Sequence, residues 1–517
     1  MQHQRIPFQN TKQFSGIFLD YIAQKTVLEP FYSHFPTVAN VIPSMAAREQ
    51  FPIEVRQLLV SELHKQYASL AAAPTVQIEL LAQKNTYTVC TGHQLNLFSG
   101  PLFFHYKIQT VIKTCQILQK AYPDCHFIPI YWLASEDHDF EEIKSFHLFG
   151  QTYTWESTQK GATGAYHTAT IEPILSALGE KAGVFGQAYA QHSTLAEATT
   201  AYTHALYGAQ GLLVLDANRA AFKAVFANTL ALELKEQFSA KALAQSSKEL
   251  EKAGYEAQVK GREINLFYMS EGVRERIVLE QGRYNVLNTN LSFSETEILE
   301  HLKAFPERFS PNVVLRTVYQ ESILPNLAYC GGPGEIAYWL QFKAVFDALK
   351  LPFPILLPRQ FALYLSPSIK ERWQKLGFEP LAVFEDAKLL KEQLLKNITT
   401  NDLSLEEEAK TIEAVLEASR EKIEKTDASL LGVLEAEKNK FLKALENLEK
   451  RLKKSEEQKH GVSLKQLEQV LAKLFPNGSL QERHNNILNI TLNKPSYLKE
   501  FYELLEPFEF QFLILWD

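Results

Sequence analysis

Between residues 86 and 358 the chain alternates short, almost unbroken apolar runs with longer stretches of helical texture. Residues 87–92 read Tyr-Thr-Val-Cys-Thr-Gly, 126–134 read His-Phe-Ile-Pro-Ile-Tyr-Trp-Leu-Ala, and 211–215 read Gly-Leu-Leu-Val-Leu. Further runs at 312–318, at 326–331 and at 354–358 have the same character. Strands without a polar alternate face are buried on both sides, so this pattern predicts an α/β fold: a parallel sheet with helices on both faces. Residues 150–210, rich in Ala, Thr, Gly and His, read mainly as helices. Residues 227–310 mix a charged helix with short strands at 263–269 and 276–279, and both stretches read as insertions between core strands.

From about residue 385 the period changes. Leu405, Ile412, Leu416, Ile423, Leu430, Leu434, Phe441, Leu445, Leu448 and Leu452 recur at spacings of seven, four or three among Glu and Lys. Such a heptad stripe predicts a coiled coil. A break at 426–432 permits a fold-back hairpin, leaving open whether the helices pair within one chain or between two copies. The stripe is too long and apolar to stand bare in water, and a homodimer is the expected outcome. The last apolar run, 508–516, is expected to be a strand that returns to the main body.

A chain of 517 residues exceeds one hydrophobic core. Its 46% apolar and 22% charged residues are those of an ordinary soluble protein. The net charge of −7 offers no long-range attraction to nucleic acid or anionic membrane, and the basic run at 450–454 reads as a solvated helix face. Cys90, Cys115, Cys125 and Cys330 show no paired spacing, so neither a disulfide scaffold nor a metal site is expected. Cys90 and Cys330 read as small core residues. No secretory signal and no apolar run near the roughly 20 residues of a membrane span is visible, so the expected location is the cytoplasm.

Candidate chemistry collects where strands end, the place where parallel sheets hold ligands. Residues 326–343 run a strand into Gly331, Gly332 and Gly334 and then into a helix carrying Glu335, Tyr338 and Trp339. Glycine admits positive φ and close approach, and the free N–H groups of a helix start attract anions, so this turn is a candidate cradle for phosphate or carboxylate; a tight structural turn would look similar. Thr91-Gly92-His93-Gln94 ends another strand, with His93 a candidate acid or base near neutral pH or a loop cap. Glu136-Asp137-His138-Asp139 ends a third. This cluster can supply a base, hold an ammonium group or a cation, or simply start a helix. Arg316 and Gln320, one strand before the glycine turn, can meet a carboxylate or phosphate. Asn477, Gly478, Gln481 and Arg483 lie in a polar loop after the coiled coil, a possible second ligand site or a plain turn.

Taken together, residues 91–94 with 100–102, 132–140, 324–339 and 474–483 resemble, in order, the signatures of the bacillithiol biosynthesis cysteine-adding enzyme family. The resemblance implies a Rossmann-like core similar to class I aminoacyl-tRNA synthetases, two connective insertions and a carboxyl-terminal coiled coil pairing two subunits. It implies a cytoplasmic ligase that joins cysteine to glucosaminyl-malate, and binding of ATP or another adenine nucleotide. Asp137, His138 and His93 are its candidate catalytic residues, although the family usually carries Gln where His93 stands. The expected divisions are 1–149 for the first part of the core, 150–210 for the first insertion and 211–226 for a core strand and helix. Then follow 227–310 for the second insertion, 311–384 for the rest of the core, 385–460 for the coiled coil and 461–517 for the return. Two other classes stand beside this one: a synthetase-like nucleotidyltransferase acting on another small molecule, and a non-catalytic coiled-coil scaffold.

Overall fold

Five strands form the parallel sheet: β1 (Thr86–His93), β2 (His126–Leu133), β3 (Leu213–Asp216), β4 (Asn326–Gly331) and β5 (Ile355–Pro358). The computed structural model describes residues 1–70, 73–399 and 403–517, so residues 400–402 of the expected coiled coil lie outside the described residues. The spatial order is β5-β4-β1-β2-β3, with every neighbouring pair parallel. Every residue of β4 and β5 is buried, as their unbroken apolar runs demand, and each buried Val, Leu or Ile contributes about 1.5–3 kcal/mol. The chain begins at the centre with β1, moves outward through β2 to β3, and returns to the other side of β1 for β4. The direction of winding therefore reverses between β1 and β4, the topological switch point where open sheets hold ligands.

Residues 312–318, expected as a strand, are helical: after α1 (Phe103–Ala121), α2 (Ala220–Glu236) and α3 (Phe238–Lys252), the chain forms α4 (Val313–Ile323). The Asn312 side chain accepts hydrogen bonds from the N–H groups of Val314 and Leu315 at 3.0 and 3.4 Å. A cap of this kind contributes about 1 kcal/mol. The β-branched residues each cost at most about 0.7 kcal/mol in a helix. Burial of Val314, Leu315, Val318, Tyr319 and Ile323 on one face outweighs that cost, and their spacing is helical once the window reaches residue 323. The glycine turn then leads into α5 (Pro333–Ala348).

Further elements lie between the strands of this sheet. Between β2 and β3 lie an antiparallel hairpin of Ser145–Leu148 and Gln151–Thr154 and the helices Glu172–Leu178, Gly183–Gln191 and Leu195–Tyr207. Between β3 and β4, beyond α2 and α3, five antiparallel strands take the order Ser292–Phe293, Arg283–Val286, Val273–Glu280, Leu266–Ser270 and Phe309–Pro311. The run 508–516 becomes the strand Gln511–Trp516. It does not join the core sheet; it lies between Gln2–Pro7 and Phe361–Leu365 in a separate three-stranded sheet.

The chain divides into one unit of Met1–Leu363 with Ser479–Leu515 and a second of Tyr364–Gly478 with Trp516–Asp517. In the second unit the break expected at 426–432 is a reversal, so α6 (Glu406–Ala418) packs along α7 (Leu431–Lys459) within one chain. Lys438 meets Glu413 at 2.7 Å and Arg420 meets Glu435 at 2.6 Å across the hairpin. Leu434 is buried, whereas Phe441 is 50% and Leu448 49% exposed. Part of the heptad stripe thus closes the hairpin and part remains open to solvent.

Candidate active site

A cavity of about 760 Å³ lies beyond the carboxyl ends of β1, β2 and β4, at the switch point. It gathers ten of the residues expected from sequence: Gly92, His93, Gln94, Glu136, Asp137, His138, Asp139, Arg316, Glu335 and Tyr338. The inserted sheet contributes Phe267, Arg274 and Pro311 to its wall, each from a different strand. Another hollow of about 700 Å³, between α3 and the segment 254–263, holds none of these residues.

On the β1–β4 side the organising group is Glu335, in the first turn of α5. One carboxylate oxygen accepts from the Tyr329 hydroxyl at 2.6 Å; the other accepts from the Gly332 N–H at 2.9 Å and meets the Lys107 ammonium at 2.6 Å. Lys107, on α1 and nearly fully buried, also donates to the Gly92 carbonyl at 2.9 Å. Burial alone would raise the Glu335 carboxyl, but Lys107 and the Gly332 N–H outweigh it and hold it below its ordinary range. The expected phosphate cradle is corrected here. None of Gly331, Gly332 and Gly334 has positive φ, and the Gly332 N–H is occupied by Glu335 itself. Glycine is needed at Gly331 for space: a Cβ there would lie 3.0 Å from the Glu335 Cβ and 3.2 Å from the Tyr329 ring.

Opposite stands the cluster after β2. Asp137 accepts from the Gln94 amide at 2.8 Å and from the His138 N–H at 2.7 Å, and Arg274 of the inserted sheet lies 3.9 Å away. Burial opposes ionisation of Asp137, but the adjacent His138 side chain, the Gln94 amide and Arg274 outweigh it and keep its carboxyl well below the ordinary range. Arg274 donates to the His138 Nδ1 at 2.6 Å. Glu136 pairs with the buried Lys223 of α2 at 2.7 Å. Asp139 caps the short helix Phe140–Ile143 by accepting from the Glu142 N–H at 3.3 Å, so the helix-start reading holds for Asp139 while Asp137 binds across elements. Gly164 of the first insertion buttresses the loop: its N–H donates to the Ser135 carbonyl at 2.9 Å, and a Cβ would come within 2.7 Å of that oxygen.

His93 packs its ring edge-on to Phe103, and its Nε2 is buried with no hydrogen-bond partner among the described residues. Burial, reinforced by Lys107, pushes its pKa down to about 3, so it is neutral at physiological pH and a poor proton acceptor. Arg316, on α4 and not on a strand as expected, donates to the Gln320 side chain at 3.2 Å; its guanidinium lies 6.0 Å from the Trp132 ring centre and 5.6 Å from that of Tyr329. Among the described residues no carboxylate lies within ion-pair distance of it.

Other expected residues stand outside the cavity. Thr91 donates to the Cys330 carbonyl at 2.8 Å and stitches β1 to β4. Gln320 is buried and serves Glu321 as well as Arg316. Trp339 is fully buried, stacked on Tyr329 at 4.6 Å. Gly331, Gly332 and Gly334 do not line the cavity. Of the expected second site, Asn477 and Gly478 fall in the second unit and Gln481 and Arg483 in the first, where the neighbouring Glu482 pairs with Arg359 at 2.6 Å. Sequence reasoning missed Lys107, one of three lysines in α1 and the one that is buried, which sequence alone does not single out. It also missed Arg274, which nothing distinguishes from Arg276 until the inserted sheet is folded over the site.

A parallel sheet with a polar cavity at its switch point, joined to a helical hairpin, defines a Rossmann-like α/β protein with a coiled-coil unit. Residues 1–360 match the family model described as bacillithiol biosynthesis BshC, N-terminal Rossmann-like domain, and residues 362–516 that of its C-terminal coiled-coil domain. The chain belongs to the bacillithiol biosynthesis BshC family. It is 38% identical to a protein of Cytophaga hutchinsonii over 98% of this chain and 97% of that one. It is 40% identical to one of Flavobacterium psychrophilum over 94% of each. Both relatives bear the name "Putative cysteine ligase BshC".

Proposed function

We propose that the cavity joins the carboxylate of L-cysteine to the amine of glucosaminyl-malate, forming an amide in the last step of bacillithiol biosynthesis. The carrying observation is that the cavity holds both an unpaired cation and carboxylates. Arg316 presents a guanidinium without an ion-pair partner among the described residues, and the Glu136–Asp139 loop brings carboxylates to the same cavity. A guanidinium suits a substrate carboxylate, such as that of malate, and the acidic loop suits an ammonium group. Kinship with proteins named as cysteine ligases supports the choice of amino acid.

Amide formation from a free carboxylate is uphill in water, and an adenine nucleotide, when bound, supplies the activation. The buried, unpartnered Nε2 of His93 and the adjacent Phe103 ring fit a nucleotide on the β1 side of the cavity. Gln94 and Lys107 hold the surrounding loop in place through Asp137 and the Gly92 carbonyl. Asp137, kept ionised, attracts and orients the ammonium form of the amine. The setting is cytoplasmic, and the exposed part of the heptad stripe supports a homodimer.

Purified protein given cysteine, glucosaminyl-malate and ATP should yield bacillithiol by mass spectrometry, with Arg316→Ala losing the product. Cells lacking the protein should accumulate glucosaminyl-malate. A nucleotidyltransferase would consume ATP with another acceptor, and a scaffold would consume none; either result removes the ligase reading.

A further inference from the structure

The Arg274 side chain reaches the cavity from the strand Val273–Glu280 and is held on every side. Its Nε donates to the Ser310 hydroxyl at 3.1 Å, Nη2 to the Pro311 carbonyl at 3.5 Å, and the guanidinium lies 4.1 Å from the centre of the Phe267 ring. Its Nη1 is 2.6 Å from the Nδ1 of His138. A guanidinium has only donors, so the imidazole nitrogen facing it must accept. The proton of neutral His138 then resides on Nε2. That nitrogen has no hydrogen-bond partner among the described residues, and His138 lines the cavity with its side chain 45% exposed.

We infer that Arg274 is a positioning residue that fixes His138 as a neutral Nε2–H hydrogen-bond donor, directed at a substrate oxygen that gains negative charge during acyl transfer. No proton moves in this role. His138 stabilises the oxyanion as a donor while Asp137, which accepts from the His138 N–H, holds the loop. The groups facing the imidazole are Asp137 on its own loop, and Arg274 and Phe267 on the inserted sheet. The base role expected of His138 from its sequence is thereby excluded at Nδ1, because the lone pair there is engaged. The catalytic half of this inference rests on the acyl-transfer reading above; the tautomer half does not.

Long-range 1H–15N correlation spectra of the full chain with labelled histidine test it, with the His138 signal assigned by its loss in His138→Gln. At neutral pH the wild type should show the Nε2–H form. Arg274→Lys keeps the charge without the planar fork, and Arg274→Gln removes the charge; both should be confirmed as folded by circular dichroism and should show mixed tautomers or the Nδ1–H form. A wild-type Nδ1–H or charged imidazole, or a tautomer unchanged in both variants, overturns the inference whatever the substrate proves to be. In the ligase assay, loss of an oxyanion donor costs roughly 10²–10³-fold in kcat. Arg274→Gln should approach that loss with KM for cysteine little changed. A normal kcat with a scrambled tautomer overturns the catalytic half, whereas an inactive wild type with the Nε2–H form refutes the ligase reading alone.

Discussion

Lys107 and Glu335 meet at 2.6 Å between the helices that follow β1 and β4, closing the two sides of the switch point upon each other. Because Glu335 also accepts from Tyr329 and Gly332, this pair couples α1, β4 and α5 in one hydrogen-bonded unit.

Removing either charge should therefore be costly. Lys107→Ala leaves the half-buried Glu335 carboxylate without its counter-charge, an effect of up to the about 3–5 kcal/mol seen for buried pairs. Urea unfolding of the first unit is expected to show a loss in that range for Lys107→Ala, and a smaller one for Lys107→Met combined with Glu335→Gln. Equal losses would show that the pair is not coupled.

Arg316 is expected to act on binding. Replacing it with Lys keeps the charge but loses the planar fork, and a charge-assisted hydrogen bond contributes about 1.5–3 kcal/mol, or roughly 10- to 150-fold in affinity. The KM for glucosaminyl-malate should rise within that range, with folding intact. An unchanged KM removes Arg316 from the site.

Acid should destabilise the first unit through the half-buried His93 and the buried His105. His93 and His105 are each depressed to about 3 by burial, so they stay neutral in the folded state while the unfolded chain protonates them below about 6.5. The unfolded state then binds more protons, and stability falls as pH drops from about 6.5 toward 3. The slope reaches at most about 1.4 kcal/mol per pH unit for each histidine. His93→Gln carries the residue usual in the family and is expected to retain turnover. Its stability loss between pH 7 and 5 should be smaller by about 2 kcal/mol, measured by urea titration at both values. A wild-type acid slope retained in the variant would contradict the burial of His93.

Assembly is best tested on the open part of the stripe. Leu434 is buried inside the hairpin, so a charge there would break the fold of one chain rather than its pairing. Phe441→Glu and Leu448→Glu place charges on the exposed part instead. Light scattering should show a wild-type dimer and monomeric variants with unchanged helix content. A monomeric wild type at micromolar concentration would confine the helices to pairing within one chain.

Much of the sheet was legible because buried parallel strands carry an unmistakable apolar signature, and the heptad stripe was equally plain. The segment 312–318 misled because its β-branched residues satisfy a strand over seven positions, while the helical period emerges only through Tyr319 and Ile323 and the cap at Asn312 is set by local hydrogen bonding. Strand-end polar residues located the cavity. What they could not reveal was the division of labour within it: Glu335 satisfies the helix start that glycines seemed to leave free, and Asp139 caps while Asp137 bridges. Arg274 depends on tertiary folding of a sheet distant in sequence, for which no local pattern exists.

The inserted sheet that delivers Arg274 bears on any effort to miniaturise this protein. Trimming the chain to its parallel core would excise Arg274, Phe267 and Pro311 together and open one side of the cavity to bulk solvent. Engineering that seeks new acceptors should instead vary the exposed rim of that sheet while keeping these three positions, treating the insertion as part of the reaction vessel and not as a removable handle.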